Sequence, residues 1–382
     1  MKYSKLFLTL ISTFSASSFA MTSFDTRSVG MGSTGAASAS YLTSSFHNPA
    51  LAARYKEGDN FGLILPVIGA RVHDRDDMID KLDHFQDIDD QLQFDPDNDE
   101  LLDEWRKALK QLDNGNVNVE ANLGTVFAIP NRHVSTNFFI KSQIATIARF
   151  NVHDDDLHND DPTDSELLSS GQAVGVAIVD VGFTFADTFT IQEHDFMFGI
   201  SPKYQRIYGL NYVETLDEFD DDFDVEEDYV EKSTFNIDLG AAYEWGDHAI
   251  IGLSAKNILS QELKTKTHFG QKATVLVQPE FVLGISYDKS WYTLTADIDL
   301  NAVEHFKEYG YKTQYAKVGA ELDAFSWAQL RLGYMHSLTD YADDLATAGL
   351  GFKPFGIFGF DLAAQAGADN NYGVSAQLIM HF

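Results

Sequence analysis

Tyr372-Gly-Val-Ser-Ala-Gln-Leu-Ile-Met-His-Phe382 alternates with a period of two. Tyr372, Val374, Ala376, Leu378, Met380 and Phe382 form an apolar stripe with an aromatic at each end. The interleaved residues are small or polar apart from Ile379. Period two marks a strand with one apolar face. About ten residues with aromatic ends is the length of a tilted strand that crosses a bilayer.

The same pattern recurs upstream. Phe235, Ile237, Leu239, Ala241, Tyr243 and Trp245 alternate with polar or small residues, and Tyr292, Leu294, Ala296 and Ile298 do so again. Alternation alone fits a sandwich as well as a barrel. The connections separate the two. The pattern predicts fourteen strands at 60–72, 116–130, 133–151, 172–186, 194–214, 233–246, 248–260, 274–288, 290–303, 313–324, 327–338, 346–354, 357–366 and 372–382. Turn-sized gaps follow most even strands, at Asn131-Arg132, Gly246-Asp247-His248, Lys289, Phe325-Ser326 and Phe355-Gly356, with a longer connection at Asp187 to Glu193. Long gaps follow the odd strands, above all 73–115, 152–171 and 215–232. Tight turns on one side and long loops on the other describe an outer-membrane barrel with its tight side periplasmic. Boundaries read this way leave twelve or sixteen strands open.

Residues 1–20 carry Lys2 and Lys5, an apolar stretch from Leu6 to Phe14 and small residues up to Ala20, the order of a cleavable export signal. The three long loops hold fifteen, seven and eleven acidic residues, more than half of the 58 in the chain. In the first, Met78, Ile79, Leu82 and Phe85, then Leu101, Leu102, Trp105, Leu109 and Leu112, are spaced for helix faces. A net charge of −31 excludes nucleic acid as a partner, and the absence of cysteine excludes thiol chemistry and disulfides.

Gly30-Met-Gly32-Ser-Thr-Gly35 matches a dinucleotide fingerprint but lacks the strand-to-helix setting that gives it meaning. Small residues there suit a backbone threaded through a narrow lumen, or a flexible leader. Asp95-Pro-Asp97-Asn-Asp99 opens like a calcium loop, yet Glu100 and Arg106 occupy the positions of its glycine and bidentate glutamate. Looser divalent binding by the loop carboxylates is the alternative to a solvated acidic surface. No metal centre or cofactor site is read. No nucleophile elbow or zinc-protease motif is present; His153 and His158 beside Asp154 to Asp156 read as a hydrophilic loop, and the chain is not expected to be an enzyme.

The stretch from Arg27 to Ala39, followed by Ser44-Ser-Phe-His-Asn48-Pro49-Ala50, resembles the opening of the FadL-like outer-membrane transporters. It is more similar still to the exported TraF-like family, named for plasmid transfer operons. The aromatic end at Phe382 resembles the signal that the barrel-assembly machinery reads. The resemblance implies an all-β transmembrane antiparallel barrel of about 14 strands, with residues 21–58 as a luminal plug, 59–382 as the barrel and a helical first outer loop. It implies Gly30, Gly32, Gly35, Asn48, Pro49 and Ala50 as plug or gate residues, with Asn48 to Ala50 as the corner into the first strand. It implies outer-membrane lipid, lipopolysaccharide and the assembly machinery as partners, and passive transport of small hydrophobic compounds. A structural or accessory component of conjugal transfer is the alternative.

With the apolar stripes facing lipid, the lumen receives Lys203, Asp238, Glu244, Asp297, Asp299, Lys317, Glu321, Arg331 and Asp361. The neighbouring strands that carry Asp297, Asp299, Lys317, Glu321 and Arg331 are expected to pair opposite charges and stiffen the wall. This departs from the greasy tunnel of a fatty-acid carrier.

Overall fold

The structure is a computed structural model that describes residues 25–382 apart from 57, 160, 165, 220–228, 325–326, 341 and 355. The export signal therefore lies outside the described residues, as does the middle of the third acidic loop. Fourteen antiparallel strands form a closed barrel: β1 Gly62–Asp74, β2 Asn116–Ile129, β3 Ser135–Asn151, β4 Ser170–Ile191, β5 His194–Thr215, β6 Tyr229–Trp245, β7 Ala249–Lys256, β8 Glu280–Lys289, β9 Tyr292–Asp299, β10 Tyr315–Ala324, β11 Ala328–Ser337, β12 Leu345–Phe352, β13 Phe358–Gly367 and β14 Asn371–His381. Each pairs with its sequence neighbours, and β14 returns to β1 in register from Gly62↔His381 to His73↔Asn371. Closure leaves no unpaired strand edge, which a lipid environment requires.

Facing follows the period. Leu294 and Leu378 stand exposed on the outside, whereas Thr295, Asp297 and Gln377 are buried inside. Phe382 completes the seam: its N–H donates to Phe61 O at 2.8 Å, its carbonyl accepts from Asn60 and Phe61, and its ring stacks on Phe61 at 5.5 Å. Among the described residues no helix is long and apolar enough to cross a membrane.

Two expectations need correction. The connection expected at Asp187 to Glu193 is the two-residue turn Gln192-Glu193, and β4 runs on to Ile191. Both turn residues have positive φ, 51° and 67°, a hairpin geometry that Asn-Gly normally signals and Gln-Glu does not. The expected strands 248–260 and 274–288 are shorter in the wall. Thr274–Val277 instead pairs with Gln261–Lys264 in a separate small sheet, and Pro279, which has no N–H to give a ladder, precedes β8.

At the long-loop end, helices α2 Met78–Phe94 and α3 Asp99–Leu112 lie over the outer ends of the strands, while α1 Thr26–Gly30 lies inside the barrel. Phe85, Trp105, Leu109 and Leu112 pack with Val117, Phe150 and Leu216. The run Asp95 to Asp99 is the turn between these helices, where Asn98 Oδ1 accepts from Glu100 and Leu101 N–H as a cap.

Adjacent residues of β3 test the facing. Ile144 is exposed on the outer surface, whereas Gln143 lines the interior cavities. Ile144→Arg is expected to lower barrel stability in lipid by about 2–4 kcal/mol, the cost of a basic side chain near the midplane, and Gln143→Arg by much less. Heat-modifiable gel mobility after denaturant titration in liposomes measures both; equal losses would reject the assigned facing.

Candidate functional site

The interior is filled by residues 25–53, almost all of them buried. This segment is nearly free of charge, and its small residues let the backbone lie against the wall. The wall answers with glycine at the inward positions it touches. A β-carbon on Gly252 would meet Ala36 O at 1.9 Å, one on Gly333 would meet Gly32 N at 2.0 Å, and one on Gly319 would meet Met31 O at 2.3 Å. Gly199 meets Pro49, Gly240 meets Asn48, and Gly349 meets Gly30 in the same way. Gly199 lies opposite Gly240, Gly252 opposite Gly284, and Gly319 opposite Gly333, so these residues form a belt across β5–β8 and β10–β12. On β9 the corresponding place beside Gly284 belongs to Asp297. Its Oδ2 accepts from the N–H groups of Gly35 and Ala36 at 2.7 and 2.9 Å.

The predicted plug residues take distinct places. Gly30 ends α1 against Gly349; Gly32, at φ +67°, donates its N–H to Thr347 Oγ1 at 2.9 Å. A β-carbon on Gly35 would strike the His47 ring at 2.2 Å. That ring pairs through Nε2 with Asp25 Oδ2, and Asp25 caps α1 by accepting from Ser28 N–H. Asn48 is not the corner into β1. It caps a 3₁₀ turn, Pro49–Ala53, through Oδ1 to Ala50 N–H, and its amide ties Ala36 O to Ala241 O of β6. Pro49 sits at the first position of that turn, where a missing N–H costs nothing.

The luminal charges pair as expected in kind, with a partner from the plug that was not foreseen. Glu321 on β10 accepts from Arg27 of the plug at 2.9 Å through both oxygens and from Arg331 at 2.6 Å. Arg331 also reaches Asp361 at 2.6 Å, and Asp361 accepts from Gln377. Lys317 pairs with Asp299 at 2.7 Å, whereas Asp297 serves the plug backbone. Lys203 bridges Asp180 and Asp238, each at 2.9 Å, with Lys141 at 3.5 Å from Asp180.

Arg27, Asp25 and His47 were missed. They are the isolated charged or titratable residues of an otherwise uncharged stretch, and that isolation was the available signal. The loop residues His153 and His158 flank a short helix, Asp154–Leu157, in which Asp156 is buried and accepts from Leu168 and Ser169 N–H, a structural role.

Beyond the plug lies a cavity of about 80 Å³. Ser33 and His47 of the plug, Lys141, Lys256, Lys317, Glu280 and Asp299 of the wall, and His305 of a loop line it. A narrower crevice runs beside Val29, lined from the lumen by Arg71, Glu120 and Gln143 and from the outer face by Ala70, Ala121 and Ile144.

Glu321→Ala would take the shared carboxylate from the partly buried Arg27 and from the buried Arg331, which keeps Asp361. The expected cost is about 3–5 kcal/mol, with trypsin gaining access to Arg27. Unchanged protection of Arg27 in a timed digestion would show that the pair does not hold the plug.

Comparison with known proteins places this geometry. The toluene transporter TodX of Pseudomonas putida superposes with a TM-score of 0.51 at 13% identity, over 96% of this chain and 97% of that one. A FadL homologue from Pseudomonas aeruginosa gives 0.56 at 11% identity, over 96% and 99%. A TodX deltaS2S3 mutant, a monoaromatic hydrocarbon channel, gives 0.56 at 11%, over 95% and 99%. At such identities the likeness is one of fold: a 14-strand barrel with its N-terminal region inside. No curated protein matches by sequence. The family described as "F plasmid transfer operon, TraF, protein" matches residues 45–299, well over half the sequence and from the plug to β9. The chain belongs to the TraF plasmid-transfer-operon protein family, on the barrel fold of the FadL-type transporters.

Proposed function

We propose that this protein is a plugged channel of the bacterial outer membrane that lets small hydrophobic compounds pass without energy input. The observation that carries the reading is the plug itself: a near-uncharged segment laid against a glycine belt and tied to the wall by single hydrogen bonds spread around the bore, with one ion pair from Arg27 to Glu321. A segment of that kind can be displaced without unfolding the wall. The cavity beyond it shows that the plug leaves part of the bore unfilled. The relatives in fold include a protein described as a toluene transporter, which supports an apolar cargo. Outer-membrane lipid and lipopolysaccharide would surround the barrel, and the assembly machinery would read the strand that ends at Phe382.

Uptake of radiolabelled toluene by cells with and without the protein tests the proposal, because the lipopolysaccharide leaflet slows apolar solutes. Faster uptake is expected with the protein, and an unchanged rate would overturn it. The family description favours a second reading, an accessory surface component of conjugal transfer. Mating frequency of a strain lacking the protein measures that role.

A further inference from the structure

The loops after β7 and β9 do not stand clear of the barrel. The first folds into the hairpin of Gln261–Lys264 and Thr274–Val277, the second into that of Val303–Glu304 and Lys312–Thr313. They are joined: Leu276 N–H donates to His305 O at 2.8 Å, Lys307 N–H to Thr274 O at 3.1 Å, and Thr274 Oγ1 to Glu308 at 2.7 Å. The two loops thus form one layer, and it turns inward. Val275, Val277 and Phe306 pack on Ala145, Ile147, Val174, Val176, Ile178 and Ile207, on the inner face of β3, β4 and β5.

That stretch of the inner face is aliphatic, whereas Lys141, Asp180 and Lys203 stand further along the same face of the same strands, beside a cavity lined by lysines and carboxylates. Gly209 of β5 makes room for the layer; a β-carbon there would lie 3.2 Å from Val275 and 3.4 Å from Thr265. The rim is polar: Asn211 Nδ2 donates to Lys266 O and Gln271 O at 3.1 Å, and the Arg149 guanidinium lies 4.3 Å above the Tyr309 ring. Residues 257–260 and 278–279 connect the first hairpin to the wall, with Asn257, Ile258 and Leu259 hydrogen-bonded to β6, so the part of the layer beyond Leu259 is what can lift.

An aliphatic surface inside a wet lumen gains by being covered. Here Val275, Val277 and Phe306 cover it, with Ala273, Leu263, Tyr309 and Tyr311 packed beside them. We infer that the inner face of β3–β5 is a binding site for a small apolar compound, and that the two-loop layer seated on it is a lid whose Val275, Val277 and Phe306 occupy the site until the compound displaces them. This deepens the transport reading and rests on it for the origin of the ligand. Lid and ligand compete for one surface, so apparent affinity falls with the fraction of molecules whose lid is raised.

The chain has no cysteine, so an engineered pair reports cleanly. Gly209→Cys with Val275→Cys should lock the lid when oxidised and free it when reduced. The probe is N-phenyl-1-naphthylamine, whose fluorescence rises on entering an apolar site, read in nanodiscs against empty nanodiscs. Saturable binding is expected in the reduced form and binding weaker by about tenfold or more in the oxidised form, as a fully closed competitor requires. Phe306→Ala, which truncates the occupant, should bind the probe several-fold more tightly than the unaltered protein. Oxidised and reduced forms are the same chain, so a folding defect cannot produce the difference. Equal binding in both forms, or no saturable binding in the reduced form, would overturn the lid and its site. Toluene uptake by cells carrying the same variants separates the two readings. Redox-dependent binding without uptake would leave the lid standing and remove the transport function; uptake with redox-independent binding would do the reverse.

Discussion

Deleting Asp25 to Lys56 is expected to turn a nearly silent protein into a conducting pore. The wall should close without the plug, because Arg331–Asp361, Lys203–Asp180, Lys203–Asp238 and Lys317–Asp299 lie wholly within it. A fourteen-stranded barrel encloses more space than inward side chains can fill, so single-channel conductance in planar bilayers should rise on the order of tenfold or more. The charged cavity residues would then face a continuous water column. Conductance equal to that of the intact protein would mean that the loop layer, rather than the plug, seals the lumen.

Deleting Leu378 to Phe382 should have the larger effect on assembly. Those residues pair on one side with β13, through Phe360↔Leu378, Gly359↔Ile379 and Phe358↔Met380. On the other side they pair with β1, through Ile64↔Ile379, Leu63↔Met380 and Gly62↔His381, with Phe382 bonded to Phe61. Their loss removes three of the ten pairs of the seam and leaves unpaired backbone groups in hydrocarbon, each costing on the order of several kcal/mol. Outer-membrane fractions should contain almost none of the truncated chain. Normal amounts there would contradict both the closure and the role assigned to Phe382.

The strand number was legible because each wall strand turns one apolar and one polar face, and tight turns separate every second pair. The alternation of Trp291 to Leu300 maps onto β9 directly. The turn at Gln192-Glu193 was not legible, because its left-handed backbone is held by the barrel rather than announced by glycine or asparagine. Thr274 to Val277 read as wall because an apolar run buried on both faces resembles any buried strand, and only its pairing reveals a separate layer. The charges of the lumen were read by face and as pairs across neighbouring strands, but the plug's partner among them was not. Arg27 meets Glu321 across almost three hundred residues, a relation no local period carries. Gly199, Gly240, Gly252, Gly319 and Gly333 each look incidental in sequence and become a belt only once strand register aligns them.

That belt bears on how the plug can leave. A piston would have to drag the Met31 and Leu42 side chains along a surface fitted to main chain and small groups, and it would break every tie at once. The ties are instead distributed around the circumference: Gly32 to Thr347, Gly35 and Ala36 to Asp297, Asn48 to Ala241. Each of these is a hydrogen bond or two that can fail in turn, and the Arg27–Glu321 ion pair is the strong tie that holds one sector longest. Release of this kind resembles peeling a tape from the inside of a pipe. It begins in one sector, opens a slot rather than the whole bore, and lets the width of the slot set the size of what passes.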